Sequence, residues 1–126
     1  MNTCLVADDA PIICKVAKRI VRMHGFEADC AETPAALRMA LIRRMPYLLV
    51  IADRLGDEDG LALVAEIRDM PGGKMPTILV CSAENGIALR TKLRRSSANG
   101  LLLKPFTQET FETHLTRLGL MKAEAA

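Results

Sequence analysis

The sequence predicts an α/β protein in which helices cover both faces of a parallel sheet. Apolar, strand-like runs alternate along the chain with segments whose apolar residues recur at helical spacing, as in β-α-β units. The run at residues 47–52 is continuously apolar rather than alternating, which is typical of a strand buried on both faces of a sheet. At 126 residues, the chain has the length of one domain.

The composition narrows the class of protein. Hydrophobic residues make up 50% of the chain and charged residues 25%, as in soluble globular proteins. No segment approaches the ~20 apolar residues of a membrane span. We expect no signal peptide, because the first strand begins almost at the start, and therefore a cytoplasmic protein. A net charge of +2 is too small to indicate nucleic-acid binding by the whole surface.

The four cysteines lack the spacing of a metal site, and three of them lie in apolar, strand-like runs. We expect them to be small buried apolar residues, with a disulfide or a metal site as the alternatives. They are Cys4, Cys14, Cys30 and Cys81.

The first predicted strand, residues 3–7, ends in two acids, Asp8 and Asp9. Pro11 suits the first position of a helix, and Gly25 marks the end of that helix. The sequence therefore predicts a helix directly behind the acid pair.

Residues 26–30 alternate between apolar and polar side chains, as an edge strand does. Thr33 and Pro34 then predict the cap and the first residue of a second helix, which continues up to Arg43 and Arg44. The buried strand at residues 47–52 follows and delivers Asp53 to its carboxyl end.

Gly60 opens a third helix, which ends before the turn cluster at residues 71–73. Residues 77–81 form a further buried strand. Residues 84–98 are the least regular part, because arginines and lysines crowd the apolar signal of a fourth helix. A last strand ends at Lys104, and a final helix begins near residue 107.

Four of the predicted strands end in side chains that suit a metal ion or a phosphoryl group. Asp8, Asp9 and Asp53 would meet at the carboxyl edge of a parallel sheet, where they repel one another unless a cation screens them. Carboxylate oxygens at such an edge suit Mg²⁺. Ser82 supplies a hydroxyl and Lys104 an ammonium group, which can bind phosphoryl oxygens.

This ordered set of motifs resembles the CheY-like receiver domain of bacterial two-component response regulators. The motifs are Asp8-Asp9, Asp53, Ser82-Ala83 and Lys104-Pro105-Phe106. The resemblance covers nearly the whole chain and implies a flavodoxin-like, doubly wound sheet of five parallel strands in the order 2-1-3-4-5. Residues 1–121 would form this receiver domain, and residues 122–126 a short C-terminal tail.

The resemblance also implies roles for the residues. Asp53 would be the phosphoacceptor, which takes a phosphoryl group from a histidine kinase or a phosphotransfer protein. Ser82 would hydrogen-bond the aspartyl phosphate and Lys104 would pair with it; the alternatives are a backbone hydrogen bond for Ser82 and an ion pair with Asp53 for Lys104. The peptide bond before Pro105 would be cis. Mg²⁺ would be bound by three carboxylates and one backbone carbonyl, those of Asp8, Asp9, Asp53 and Leu55.

Signalling would then depend on contacts with a downstream protein, such as a flagellar motor component or a factor in surface attachment. We expect no DNA-binding domain and no membrane contact. We also expect no independent enzymatic activity, because no paired nucleophile and base is visible in the sequence.

Two features depart from the pattern of the family. The loop after Asp53 lacks the usual proline, and Gly60 stands one position closer to Asp53 than usual. Leu101 occupies the position where many receivers carry an inward-turning Tyr or Phe. The first departure puts metal binding and phosphorylation in question, and the second requires another signalling device.

An arginine cluster is the candidate for that device. Arg90 and Arg94 stand four residues apart, on one helix face, and Arg95 lies beside them. Arginine binds phosphate bidentately and stacks on flat rings. The cluster resembles the arginine-rich stretch with which some receivers bind cyclic di-GMP. The alternatives are a docking face for an acidic protein and a solvated basic face.

Overall fold

A computed structural model describes residues 2–120 of the chain, in which strands and helices alternate as predicted. The elements in chain order are β1 (Thr3–Ala7), α1 (Pro11–Met23), β2 (Glu27–Ala31), α2 (Pro34–Arg43), β3 (Leu48–Ala52), β4 (Arg54–Leu55), β5 (Glu58–Asp59), α3 (Gly60–Arg68), β6 (Thr77–Ser82), α4 (Ile87–Arg95), β7 (Gly100–Leu103) and α5 (Gln108–Arg117).

Five of these strands form one parallel sheet in the order β2-β1-β3-β6-β7. This is the predicted order 2-1-3-4-5, because β4 and β5 form a separate antiparallel pair. Every residue of β3, the central strand, is buried. The continuous apolar run therefore predicted the position of this strand correctly.

The sheet separates two apolar cores. One face packs against α1 and α5 and includes Ile20, Phe26 and Phe111. The other face packs against α2 and α3 and includes Leu37, Leu55 and Ile67. Successive strand residues alternate between the two cores, as the two-residue period of a strand requires.

The predicted helix starts are confirmed where the local chemistry is strong. Thr33 caps α2, since its Oγ1 accepts a hydrogen bond of 3.0 Å from the backbone N–H of Ala36. Pro11 and Pro34 occupy the first helical positions of α1 and α2. Gly25 follows α1 with a positive φ of 86°, which glycine adopts without strain.

The structure differs from the expectation in two elements. β2 begins at Glu27 instead of Phe26, because the backbone N–H of Phe26 donates a hydrogen bond of 3.1 Å back to the carbonyl of Val21 in α1. α4 forms, but it has no buried residue, and Ile87 is 83% exposed. Of its apolar residues, Leu93 packs partly against a core, so the helix is weakly anchored.

Residue 121 of the predicted receiver domain and the predicted tail at residues 122–126 lie outside the described residues. Within the described part of the chain, no helix is long and apolar enough to cross a membrane.

Candidate functional site

Four strand ends meet at one edge of the sheet. Asp8 follows β1, Asp53 follows β3, and Ser82 is the last residue of the neighbouring strand β6. β7 pairs with β6 and leads into Lys104. The carboxyl ends of parallel strands thus collect these side chains on one side of the sheet, as predicted.

Asp53 and Ser82 are in direct contact. The fully buried hydroxyl of Ser82 donates a hydrogen bond of 2.8 Å to Oδ2 of Asp53. It also accepts a hydrogen bond of 2.9 Å from the backbone N–H of Glu84, which fixes its orientation. The Asp53 side chain is half-buried and remains accessible from the sheet edge. Ser82 therefore makes a hydrogen bond to Asp53 in addition to the backbone hydrogen bond that was the alternative for this residue.

Lys104 pairs with Asp8, not with Asp53 as the simple alternative proposed. Its Nζ lies 2.8 Å from Oδ2 of Asp8, whose side chain is 2% exposed. This contact lacks hydrogen-bond geometry, so charge holds the buried oxygen. Partial burial by itself lowers the pKa of Lys104, but the pairing with Asp8 and the nearby Cys81 and Asp53 outweigh it, and the pKa is raised. The lysine therefore stays charged.

The chain turns directly after this lysine. The Lys104-Pro105 peptide bond is cis, as the resemblance implies. The backbone N–H of Lys104 donates a hydrogen bond of 2.8 Å to the carbonyl of Ser82, which ties the ends of β6 and β7 together.

Asp9 is exposed and contacts the small hairpin of β4 and β5. Its Oδ2 accepts a hydrogen bond of 3.3 Å from the backbone N–H of Gly56 at the hairpin tip. Gly56 has a positive φ of 57°, and a β-carbon there would lie 3.5 Å from the Pro34 side chain. The side chain of Leu55, the predicted carbonyl ligand, is fully buried. The hairpin thus lies against the acid pair.

Gly60 sets the length of the loop that follows Asp53. A β-carbon on Gly60 would lie 2.1 Å from the carbonyl oxygen of Ala52, so only glycine fits there. The backbone N–H of Gly60 donates a hydrogen bond of 2.7 Å to the carbonyl of Asp53. α3 therefore begins directly against the end of β3.

Arg38 on α2 fastens the hairpin from outside. Its guanidinium donates to both carboxylate oxygens of Glu58 on β5, at 2.6 and 3.0 Å. It also donates to both oxygens of Glu66 on α3, at 2.8 and 3.0 Å. The hydrogen bonds with Arg38 are the main reason that the pKa values of both glutamates are lowered. One side chain thus joins three elements around the loop.

The acids at this edge suit a hard divalent cation in kind, since such ions prefer carboxylate and carbonyl oxygens. Within residues 2–120, no three His, Cys, Asp or Glu side chains are grouped closely enough to form a ready-made metal site. Each acid instead faces a donor or a cation: Asp8 faces Lys104, Asp9 faces Gly56 and Asp53 faces Ser82. The buried Oδ2 of Asp8 already lies against a cation, the ammonium group of Lys104, so a positive charge suits this position.

The arginine cluster lies away from the acids, on the exposed helix α4. The Nε of Arg90 donates a hydrogen bond of 2.6 Å to Oδ1 of Asn85. Arg90 also lines a cavity of about 620 Å³ between α4, β7 and α5, to which Leu101 and Arg117 contribute. Arg94 and Arg95 do not line it. Arg90 and Arg94 nevertheless stand four residues apart in α4, so they share a helix face as predicted.

Residues 4–116 match the family model described as the response regulator receiver domain. The chain belongs to this family. This receiver domain is 26% identical over 106 residues to a probable chemotaxis protein CheY from Rhizobium etli. The alignment covers 83% of this chain and 82% of that protein. It is 32% identical over 102 residues to the photosynthetic apparatus regulatory protein RegA from Rhodovulum sulfidophilum, which covers 80% and 54%.

The receiver domain also matches part of the adventurous-gliding motility protein Z from Myxococcus xanthus, with 29% identity over 89 residues. The match covers 69% of this chain and 6% of that protein. The chain thus spans only a small part of this relative and about half of RegA.

Solved structures show the same fold. The receiver domain aligns with the chemotaxis protein CheY4 of Vibrio cholerae at a TM-score of 0.85 and 21% identity, covering 93% of this chain and 98% of that one. It aligns with the receiver domain of the sensor histidine kinase PA1611 of Pseudomonas aeruginosa at a TM-score of 0.80 and 22% identity, covering 92% and 95%. The latter structure has a magnesium ion in its active site cleft.

The family assignment confirms the predicted receiver domain, its CheY-like fold and its place in two-component signalling. Two contributors to the site were missed by the sequence reasoning. The close approach of Gly60 to β3 and the ion pairs of Arg38 have no local signal, because their partners lie elsewhere in the chain. The glycine alone stood out in the sequence, as a helix start.

Proposed function

We propose that this receiver domain accepts a phosphoryl group on Asp53 and signals through contacts with other proteins. The observation that carries the proposal is the accessible Asp53 carboxylate, held by the buried hydroxyl of Ser82 at the sheet edge. The charged Lys104 lies at the end of the next strand. A nucleophile, a hydrogen-bond donor and a cation are therefore available to one phosphoryl group.

In the proposed reaction, a carboxylate oxygen of Asp53 attacks the phosphorus of a phosphohistidine. The P–O bond forms while the P–N bond breaks, and the imidazole leaves and takes up a proton. The Ser82 hydroxyl then donates to a phosphoryl oxygen instead of to Asp53, and Lys104 exchanges Asp8 for the same group. The protein supplies positioning and charge screening.

Mg²⁺ is the cofactor that we propose for this site. Asp8, Asp9, Asp53 and the carbonyl of Leu55 would hold it. When bound, it supplies positive charge that screens the acids and the phosphoryl oxygens. The chemistry of the acids and the buried Oδ2 of Asp8 support this assignment.

Labelling with acetyl phosphate tests the phosphoacceptor. Wild-type protein incubated with Mg²⁺ and radiolabelled acetyl phosphate should incorporate label. Asp53→Asn should incorporate none, because the amide is not a nucleophile. Asp57→Asn is the matched control, since Asp57 is an exposed acid in the same loop. This variant should be labelled like the wild type. Excess chelator should also abolish labelling.

Phosphotransfer from purified kinases provides a second assay, because acetyl phosphate can be too slow a donor for some receivers. Label that persists in Asp53→Asn would assign the acceptor to another residue. An unlabelled wild type with acetyl phosphate and with a panel of histidine kinases and phosphotransfer proteins would overturn the proposal. It would leave a receiver fold that works as an interaction module.

The proposed partners follow from the family. A histidine kinase or phosphotransfer protein would donate the phosphoryl group, and a downstream protein would read the phosphorylated state. Two of the relatives are named for chemotaxis and for gliding motility. We therefore include a flagellar motor component or a surface-attachment factor among the downstream targets. We propose no catalytic activity beyond self-phosphorylation and hydrolysis of the aspartyl phosphate.

Cyclic di-GMP binding through Arg90, Arg94 and Arg95 stays a prediction from the sequence. Its support is the exposure of these arginines on α4. Calorimetric titration with cyclic di-GMP, beside GTP as a charge control and an Arg94→Ala/Arg95→Ala variant, tests it. Equal heats for both nucleotides would reduce the cluster to a general basic face.

A further inference from the structure

Two of the cysteines lie beside each other on the α1 side of the sheet. Cys30 on β2 pairs in register with Val6 on β1. The thiol of Cys14 on α1 contacts the carbonyl oxygens of Val6 at 3.8 Å and Asp8 at 3.4 Å. Cys14 belongs to the core on this face, and Cys30 packs against that core. Both side chains therefore lie beside the backbone at the end of β1 and interact with each other.

A basic cavity connects this pair to the surface. The cavity, of about 680 Å³, lies between α1 and the end of β2, and both cysteines line it. Four cationic side chains and one acidic side chain share the lining, namely Lys15, Lys18, Arg19, Arg22 and Glu32. The cavity therefore gives small molecules a route from the surface to the two thiols.

The two cysteines differ in accessibility. Cys30 is half-buried and open to the cavity, whereas Cys14 is 3% exposed. Cys30 is therefore the thiol that an oxidant reaches first, and Cys14 is placed to resolve the product.

We propose that Cys14 and Cys30 form a redox-sensitive pair that closes a disulfide between α1 and β2 when a hydroperoxide oxidises Cys30. In the first step, the sulfur of Cys30 attacks one peroxide oxygen, the O–O bond breaks, and sulfenic acid and water form with hydrogen peroxide as the oxidant. In the second step, the Cys14 thiol attacks the sulfenic sulfur and a second water leaves. The two thiols lose two electrons, which reduce the peroxide.

The proposal goes beyond phosphorylation of Asp53, since it needs neither Mg²⁺ nor a phosphoryl donor. It gives the receiver a second covalent input beside the first, because Cys14 contacts the backbone of Asp8. A thiol reductant would reverse it.

Peptide mapping of the folded wild-type chain tests the proposal. After brief treatment with hydrogen peroxide and alkylation without reductant, mass spectrometry should show one disulfide, Cys14 to Cys30. Two of the four free thiols should be lost, and reductant should restore them. Cys81→Ala is the matched control and should still form the disulfide, because Cys81 lies buried in β6.

A second variant keeps the proposal testable if crosslinking is slow. In Cys14→Ala, oxidised Cys30 should persist as sulfenic acid and react with dimedone. Cys30→Ser should form no disulfide after peroxide treatment and should not react with dimedone. A disulfide that maps to Cys4 and Cys30 would overturn the assignment, since Cys4 lies on the same face and interacts with Cys30. Four unmodified thiols, or a dimer linked through Cys30, would overturn it as well.

Discussion

The pair formed by Asp8 and Lys104 combines a carboxylate that is 2% exposed with an ammonium group that is 21% exposed. A buried charge without a partner costs far more than an exposed one, because the interior cannot replace its hydration. Lys104 therefore has a structural role besides its proposed contact with phosphate. Phosphorylation would draw Lys104 away from Asp8, so a cation at Asp8 becomes more important in that state.

Replacing Lys104 with Met should lower the free energy of unfolding by about 1–3 kcal/mol near neutral pH, since buried Asp8 loses its charge partner. Folding raises the pKa of Lys104 above its ordinary value of 10.5. The contribution of the charged lysine is therefore fully present below that pH and is lost as the pH rises through the folded value. Urea denaturation followed by circular dichroism at several pH values measures the difference between the two proteins.

The expected difference shrinks as the pH rises above 10.5, and it is lost once the pH passes the raised pKa at which folded wild-type Lys104 loses its charge. Lys92→Met, which removes an exposed lysine from α4, should change stability little at any of these pH values. A difference between wild type and Lys104→Met that stays constant up to strongly alkaline pH would contradict the ion-pair explanation and would assign the loss to packing.

At the scale of elements, the β4–β5 hairpin takes the place of a proline-containing loop after Asp53. Its tip donates a hydrogen bond to Asp9, and its far strand is held by Arg38. Gly60 fixes the point where the hairpin ends and α3 begins. The shortened loop is therefore tied to neighbouring elements on three sides, which orders the backbone around Leu55 without proline.

Replacing Arg38 with Met should speed amide hydrogen exchange in residues 54–59 by several-fold, because the hairpin loses its tie to α2 and α3. Arg44→Met is the matched control: Arg44 makes one ion pair, with Glu27 at 3.7 Å, on another edge of the molecule. Exchange measured by mass spectrometry and corrected for intrinsic rates should change in the first variant only.

The pH dependence of the same exchange follows from the two glutamates. Their pKa values lie below the ordinary 4.5, chiefly because of the hydrogen bonds with Arg38. The contribution of these pairs is present above pH 4.5 and is lost as the pH falls through the lowered values. Wild type should therefore match Arg38→Met only under more acidic conditions, and equal exchange at neutral pH would refute the role of Arg38.

Elements with a strong local pattern could be predicted from the sequence, and elements made by distant partners could not. The apolar run before Asp53 and the cap at Thr33 each contain their own signal, and the structure confirms both. β4 and β5 have two residues each, too few for any periodicity. The pairing of Lys104 with Asp8 instead of Asp53 depends on side-chain geometry between strands, which no spacing in the sequence encodes.

In α4 the sequence contains apolar residues at helical spacing, but these residues are not buried as such a pattern usually predicts. Leu93 packs partly against a core, but Ile87 lies 83% exposed. The charged residues between them leave the helix with no continuous apolar stripe. The sequence therefore predicts that the helix exists and gives a poor indication of which face it presents.

For the whole molecule, the sheet is shared by two cores. β1, β3 and β6 contribute alternate residues to the α1–α5 core and to the α2–α3 core. Loss of one core would expose the apolar residues of the same strands that support the other. We therefore expect the chain to unfold as one cooperative unit, as single domains of this size usually do.

Phe111→Ala in one core and Leu37→Ala in the other test this expectation, since both side chains are fully buried. The phenylalanine also packs edge-on against Phe106, with ring centroids 5.4 Å apart. Truncation should cost about 3–5 kcal/mol for Phe111 and about 2–5 kcal/mol for Leu37. Each variant should lower the urea midpoint while keeping a single transition with an unchanged slope, because both cores depend on the same strands. Ile42→Ala removes a side chain that is 77% exposed and should leave the midpoint nearly unchanged. A second transition in either core variant would show that one layer of helices can melt while the sheet and the other layer persist.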